Sequence, residues 1–204
     1  MTPRGVAAFE KLAGCILLVT AAPVIVASAF VISILSKRSP FVAHLRVGQH
    51  GRALWMLKVR TMWDPTRALP VERGWVQRIV AEPEVTRKRR KDARVCSAFG
   101  AFCRRHSIDE LPQLWHVVRG EMALVGPRPL TATELAYHYG ARISHLLSAK
   151  PGLTGLWQTQ GRSALDWHTR VALDLDHLRS RSVRSYFSIL YRTFPVLVSG
   201  RGAW

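Results

Sequence analysis

From Ala13 to Ser36 the chain reads AGCILLVTAAPVIVASAFVISILS, without one charged residue. At about 1.5 Å per helical residue the run reaches about 36 Å, enough to cross a ~30 Å hydrocarbon core. It is too long for the apolar part of a signal peptide, and nothing after it looks secreted. Two features oppose a simple span. Pro23 lies almost midway, where it removes a helical hydrogen bond and favours a bend. Basic residues flank both ends, Arg4 and Lys11 before, Lys37 and Arg38 after, whereas a spanning helix gathers them on the cytoplasmic side. Two arms of about 11 residues would each reach about 16 Å, half the core. The expectation is a re-entrant helix that bends at Pro23 and returns to the face it entered. Thr20 is a candidate to satisfy backbone groups freed at the bend.

With residues 1–38 taken as this helix and its flanks, residues 39–204 suffice for one further domain with a real core. The 204 residues hold 30 Lys+Arg against 13 Asp+Glu, a formal charge of +17. Such an excess implies an anionic partner: nucleic acid, a phospholipid surface or a phosphorylated substrate. Cys15, Cys96 and Cys103 lack metal spacing and fit a reduced, cytosol-facing protein.

The chemistry concentrates between Arg104 and Pro129. Asp109 and Glu110 follow Arg104 and Arg105 and precede a short apolar period, Leu111, Leu114, Trp115 and Val118, that reads as two or three helical turns. Adjacent carboxylates near fixed positive charge suit a nucleophile beside a metal ligand. Ser107 and Glu110 also fit a capping box, in which the pair merely starts a helix; Pro112 favours a start at Leu111 instead. The readings are compatible, because a carboxylate at a helix N-terminus is held ionised. The stretch closes on Gly126-Pro127-Arg128-Pro129, whose prolines restrict Arg128 on both sides.

Elsewhere the signals are coarser. A hairpin is expected around Arg46–Arg52, followed by a strand over Leu54–Arg60. On that strand Lys58 and Arg60 share a face, with phosphate binding and a solvated edge as equal alternatives. The basic run Arg87–Lys91 reads as a solvated or lipid-attracted loop; no aromatic residue is interleaved with it and no nucleic-acid module surrounds it. Helices are expected over Thr131–Ser148, Ala164–Leu178 and Val183–Val198, the last amphipathic and fit for a membrane interface or a packed neighbour. Gly161-Arg162-Ser163 offers amides and the Arg162 guanidinium to a phosphate, or Ser163 as a helix cap. The fold class is mainly α with a small β-hairpin. No P-loop, H-E-x-x-H or G-x-S-x-G occurs.

Five segments together resemble one family: Lys58-Val59-Arg60-Thr61-Met62, Arg104 to Leu114, Leu124 to Pro129, Lys150 to Gln158, and Gly200-Arg201-Gly202-Ala203-Trp204. They are similar, in order, to successive motifs of the bacterial sugar transferases, monotopic enzymes that move a sugar-1-phosphate onto a polyprenol phosphate. The resemblance implies a re-entrant N-terminal helix and a catalytic domain on the cytoplasmic face of the bacterial plasma membrane. It implies Asp109 as the nucleophile on the β-phosphorus of a UDP-sugar, and Glu110 as the ligand of Mg²⁺. Lys58, Arg104 and Arg128 fall where it implies phosphate contacts. The implied partners are a UDP-sugar, polyprenyl (undecaprenyl) phosphate and the phospholipid membrane, with no nucleic acid; oligomeric state, homodimer included, is left open.

The resemblance has gaps. Phe41-Val42-Ala43-His44-Leu45-Arg46 lacks the family's aromatic pair and the Gln two before Arg46, and His106 stands where Thr or Ser is common. A rival reading, a basic membrane-attached protein that binds lipid or nucleic acid without catalysis, leaves the carboxylate pair and Pro-Arg-Pro unexplained. A multi-span glycosyltransferase needs several long apolar segments, where this chain has one.

Overall fold

A computed structural model describes residues 4–63, 74–80, 95, 97–161 and 164–200. Helix α1 runs Arg4–Ser36, α2 Ala98–Arg105, α3 Leu114–Val118, α4 Ala132–Tyr139, α5 Ile143–Leu147, α6 Leu156–Gln160, α7 Trp167–Arg179 and α8 Val183–Ser199. The strands are β1 Phe41–Val47, β2 Ala53–Val59, β3 Val76–Ile79, β4 Ala123–Val125 and β5 Gly152–Thr154. Helices dominate, as expected, and the hairpin is present: β1 pairs antiparallel with β2, Leu45 facing Trp55 and Val42 facing Lys58. Beyond the expectation, β3 adds in parallel to β1, and β4 and β5 form a separate parallel pair.

Helix α1 is assigned as one helix through Pro23. Thr20 does not serve the carbonyl four before Pro23; its hydroxyl donates to Ile16 O and Leu17 O, both at 3.0 Å. Packing on the rest of the chain supports the helix along its length instead. Glu10, Gly14, Ile25, Ser28, Ala29, Ile32 and Ser36 are buried at helical spacing. The opposite face is apolar and open, with Val19 73% exposed and Leu12, Ile16, Val26, Phe30 and Ile34 also exposed.

Three clusters make the core. Leu114, Val117, Met122, Leu124, Val125, Tyr186 and Ile189 join α3, β4 and α8, with Val6, Ala13, Leu18 and Ala21 of α1 packed against them. Leu135, Tyr139, Leu146, Val171 and Leu175 join α4, α5 and α7, and Ile32 of α1 meets Val59 and Trp63. Helix α8 runs through Pro195 and buries Tyr186 and Ile189 while exposing Phe187, Tyr191, Phe194 and Val198, a stripe at spacings of 4, 3 and 4. Phe187 meets Phe9 of α1 edge to face at 5.4 Å, so the two open apolar faces adjoin.

Two helical expectations are corrected. The helix expected over Thr131–Ser148 splits at Gly140, whose φ of 49° ends α4 before α5 begins. The carboxylate pair lies on a 3-10 segment, Ile108–Gln113, that contains Pro112 and feeds directly into α3. Pro112 has no N–H to donate to the carbonyl three before it, and short 3-10 pieces of this kind are common where an α-helix begins. Cys96, Arg162, Ser163, the basic run Arg87–Lys91 and the terminal Arg201–Trp204 lie outside the described residues.

Candidate active site

Helix α2 starts at the Ser97 cap, whose side chain accepts from Gly100 N, and ends at His106. Ser107 then takes a left-handed φ of 56°, a conformation costing a non-glycine residue roughly 1–2 kcal/mol. This reversal delivers Asp109 and Glu110 against β2. Ser107 makes no side-chain cap bond, so the capping box is not formed; Glu110 N donates to Ser107 O at 3.1 Å.

The two carboxylates have different surroundings. Asp109 is buried, 6% exposed. Burial pushes its pKa up to about 6, the Lys58 ammonium works against that, Glu110 adds to it, and Arg104 opposes it. The expected effect was a carboxylate held ionised by the helix terminus and the arginines. Desolvation outweighs them, though half ionisation at about pH 6 still leaves the anion dominant at pH 7. Glu110 is partly open and accepts a hydrogen bond from Lys58 Nζ at 2.6 Å. Arg128 Nη2 lies 3.9 Å from the same Glu110 oxygen.

Lys58, Asp109, Glu110, Arg104 and Arg128 are therefore gathered in one place. Arg128 is aimed by the β4–β5 pair: Gly126 N donates to Thr154 O at 2.9 Å and Gly152 N to Pro127 O at 2.8 Å. Arg104 Nη1 also contacts Met62 Sδ at 2.9 Å. Arg60 is deployed otherwise. It is buried, with Nε donating to Ser39 O at 2.7 Å and Nη2 to Gln77 Oε1 at 2.6 Å, and it ties β3 to the hairpin. Pro23 is exposed on α1.

Beneath the nucleophile candidate, Cys103 is fully buried and hydrogen-bonds Ser28, which joins the apolar helix α1 to the site. Burial and the nearby Asp109 push the thiol up to about 11. Two further neighbours come from the segment where the resemblance has gaps. His44 and Arg46 share the face of the sheet that carries Lys58, and Arg46 lies within electrostatic reach of Arg128. Burial among Arg46, Lys58 and Arg60 drives His44 down to about 4, so it is neutral at pH 7.

No group of three or more His, Cys, Asp or Glu capable of holding a metal occurs among the described residues. The donor set fits a hard cation that takes one or two carboxylates and completes its shell from substrate oxygens, with Glu110 the partly open carboxylate.

Comparison with known proteins decides the family. The description "Bacterial sugar transferase" matches residues 5–200. The chain belongs to that family. It is 35% identical over 197 residues to the exopolysaccharide production protein ExoY of Rhizobium meliloti, covering 96% of this chain and 86% of the relative. It is 35% identical over 203 residues to a UDP-glucose:undecaprenyl-phosphate glucose-1-phosphate transferase of Caulobacter vibrioides, 96% of this chain and 70% of that protein. Against the undecaprenyl-phosphate galactose phosphotransferase of Salmonella typhimurium the identity is 39% over 162 residues, 79% of this chain but 34% of the relative. The chain thus spans most of some relatives and about a third of others.

Proposed function

We propose that this bacterial sugar transferase moves a sugar-1-phosphate from a UDP-sugar to undecaprenyl phosphate at the cytoplasmic face of the plasma membrane, starting a surface glycan. The reading rests above all on Asp109, a buried carboxylate of pKa about 6 beside the Lys58–Glu110 pair. It is also the chemistry printed in the name of the Caulobacter relative.

Asp109 attacks the β-phosphorus; the bond to the UMP oxygen breaks and its electron pair leaves with UMP. The aspartyl-phosphosugar then meets an oxygen of the polyprenyl phosphate, the phosphorus–Asp109 bond breaks, and the carboxylate is returned. Splitting one transfer into two predicts ping-pong kinetics. The acceptor is already an anion at pH 7, so Asp109 serves better as nucleophile than as base. Lys58 offers the phosphates a point charge and Arg128 and Arg104 planar forks. Both Lys58 and Arg128 approach Glu110 here, so they exchange a carboxylate for phosphate oxygens as substrate enters. Glu110 would hold Mg²⁺, which when bound offsets charge on the diphosphate and the departing UMP.

Monotopic attachment is part of the proposal. Glu10 and Ile32 are separated by about 33 Å of helix, yet both pack on the same domain. A helix crossing the bilayer would carry its first turns out of reach. The open faces of α1 and α8 supply the apolar contact, each Leu, Ile, Val or Phe buried being worth about 1.5–3 kcal/mol.

The test is incubation with UDP-glucose or UDP-galactose and Mg²⁺ without lipid. About one equivalent of UMP and a phosphosugar on Asp109 are expected, both lost in Asp109→Asn. UMP release that strictly requires the lipid, with no adduct in rapidly quenched enzyme, would establish direct transfer instead.

A further inference from the structure

Among the described residues strand β2 is an edge of its sheet, so every second N–H points away from β1. Leu57 N–H is one of these. It donates to His116 Nε2 at 3.2 Å. His116, buried on α3, meets Glu121 Oε2 through Nδ1 at 2.6 Å. Because Nε2 accepts from an amide, the imidazole proton belongs on Nδ1, donated to Glu121. Arg119 Nε steadies the other Glu121 oxygen at 2.8 Å.

The residue after Leu57 is Lys58, bonded to Glu110 at 2.6 Å. Adjacent residues of one strand are thus clamped to two points of one helical stretch, Glu110 and His116. The proposed reaction, on which this inference rests, removes one clamp, since Lys58 must turn to phosphate and Glu110 to the cation. The amide clamp is left.

We propose that His116 is a positioning residue: by holding Leu57 N–H, it keeps Lys58 registered over the carboxylate pair when the Lys58–Glu110 bond is given up. Glu121 fixes its tautomer and ring plane, the part a carboxylate plays behind an orienting histidine.

The experiment is a double-mutant cycle on full-length enzyme in detergent with undecaprenyl phosphate and whichever of UDP-glucose and UDP-galactose turns over, with melting temperatures recorded. His116→Phe removes both ring nitrogens at similar volume and is expected to lower kcat/KM for the UDP-sugar about tenfold or more. His116→Gln, whose amide oxygen reaches the Leu57 N–H, recovers most of the loss. Lys58→Ala added to His116→Phe costs clearly less than Lys58→Ala alone, because both act through one ammonium. A purely structural histidine predicts losses that multiply. If His116→Phe does not fold, Glu121→Gln takes its place in the cycle with the same expectation. Unchanged kcat/KM in the folded variant, no recovery with Gln, or an additive cycle overturns the proposal. Wild-type enzyme that releases no UMP from either sugar nucleotide sinks the reaction and this inference with it, whereas active wild type with an additive cycle sinks only the inference.

Discussion

Tyr186 of α8 donates its hydroxyl to Glu10 of α1 at 2.8 Å, and the same Glu10 oxygen takes Leu124 N–H at 3.1 Å. The bond joins the start of the apolar helix to the last helix of the domain, and it sets the first prediction. Cysteines replacing Gly5 and Lys37, in protein lacking Cys15 and Cys96, should both resist a membrane-impermeant reagent applied to intact cells. Labelling of the Gly5 site from outside would demonstrate a spanning helix.

The second concerns the metal. The Ser107 capping box is not formed, so Glu110→Gln should leave the melting temperature within a few degrees while turnover falls on the order of a hundredfold. Chelator should abolish turnover of the wild type, and Mg²⁺ should restore it. A folded, fully active Glu110→Gln defeats the assignment.

The third is a pH profile. The Asp109 carboxyl is raised to about 6, so its protonated, inert form accumulates as pH falls through that value. The log of kcat/KM should drop with a slope of about one per pH unit below pH 6. Lys58 holds this pKa down, so Lys58→Ala should move the limb to higher pH. An unmoved limb would point to another titrating group.

A fourth is about stability. Burial lifts Asp174 to about 7, against bonds from Tyr139, at 2.7 Å, and Trp157. A carboxyl raised above its unfolded value of about 3.8 binds its proton more tightly when folded. Its stabilisation is complete below that unfolded value and is lost as pH rises from about 4 through 7. Asp174→Asn, which keeps one accepting oxygen and does not titrate, should flatten the fall in melting temperature across that window. An identical slope would show that other groups carry it.

The fifth tests the β4–β5 crossing behind Arg128. A Cβ at Gly152 would collide with the backbone of Gly126, so Gly152→Ala should destabilise by about 1–3 kcal/mol or more. Chemical denaturation measures it. A loss below 0.5 kcal/mol would mean that the two loops separate easily.

How much of this was legible follows from what each feature depends on. The apolar run, the hairpin and the adjacency of Asp109 and Glu110 are properties of neighbouring residues, so local pattern and family motifs reveal them together. Lys58, Arg104 and Arg128 were singled out by the same motifs and are gathered at the pair. Arg60 was not separable from Lys58 by spacing, since only the presence of β3 and Gln77 turns it inward. The helix terminus and the neighbouring arginines both argue for an ionised Asp109, because sequence displays charge and hides the burial that opposes it.

The sequence by itself determined the hairpin, the long apolar helix, the last amphipathic helix and the motif residues at the carboxylate pair, because those depend on period, composition and covalent neighbours, whereas β3, β4, β5 and the 3-10 winding under Asp109 came only with the fold. Tertiary structure decided which carboxylate is dry, that His116 receives an edge-strand amide 59 positions away, and that Glu10 answers to Tyr186 across 176. Buried polar groups must find partners wherever packing brings them, and no one-dimensional pattern fixes contacts between segments so far apart.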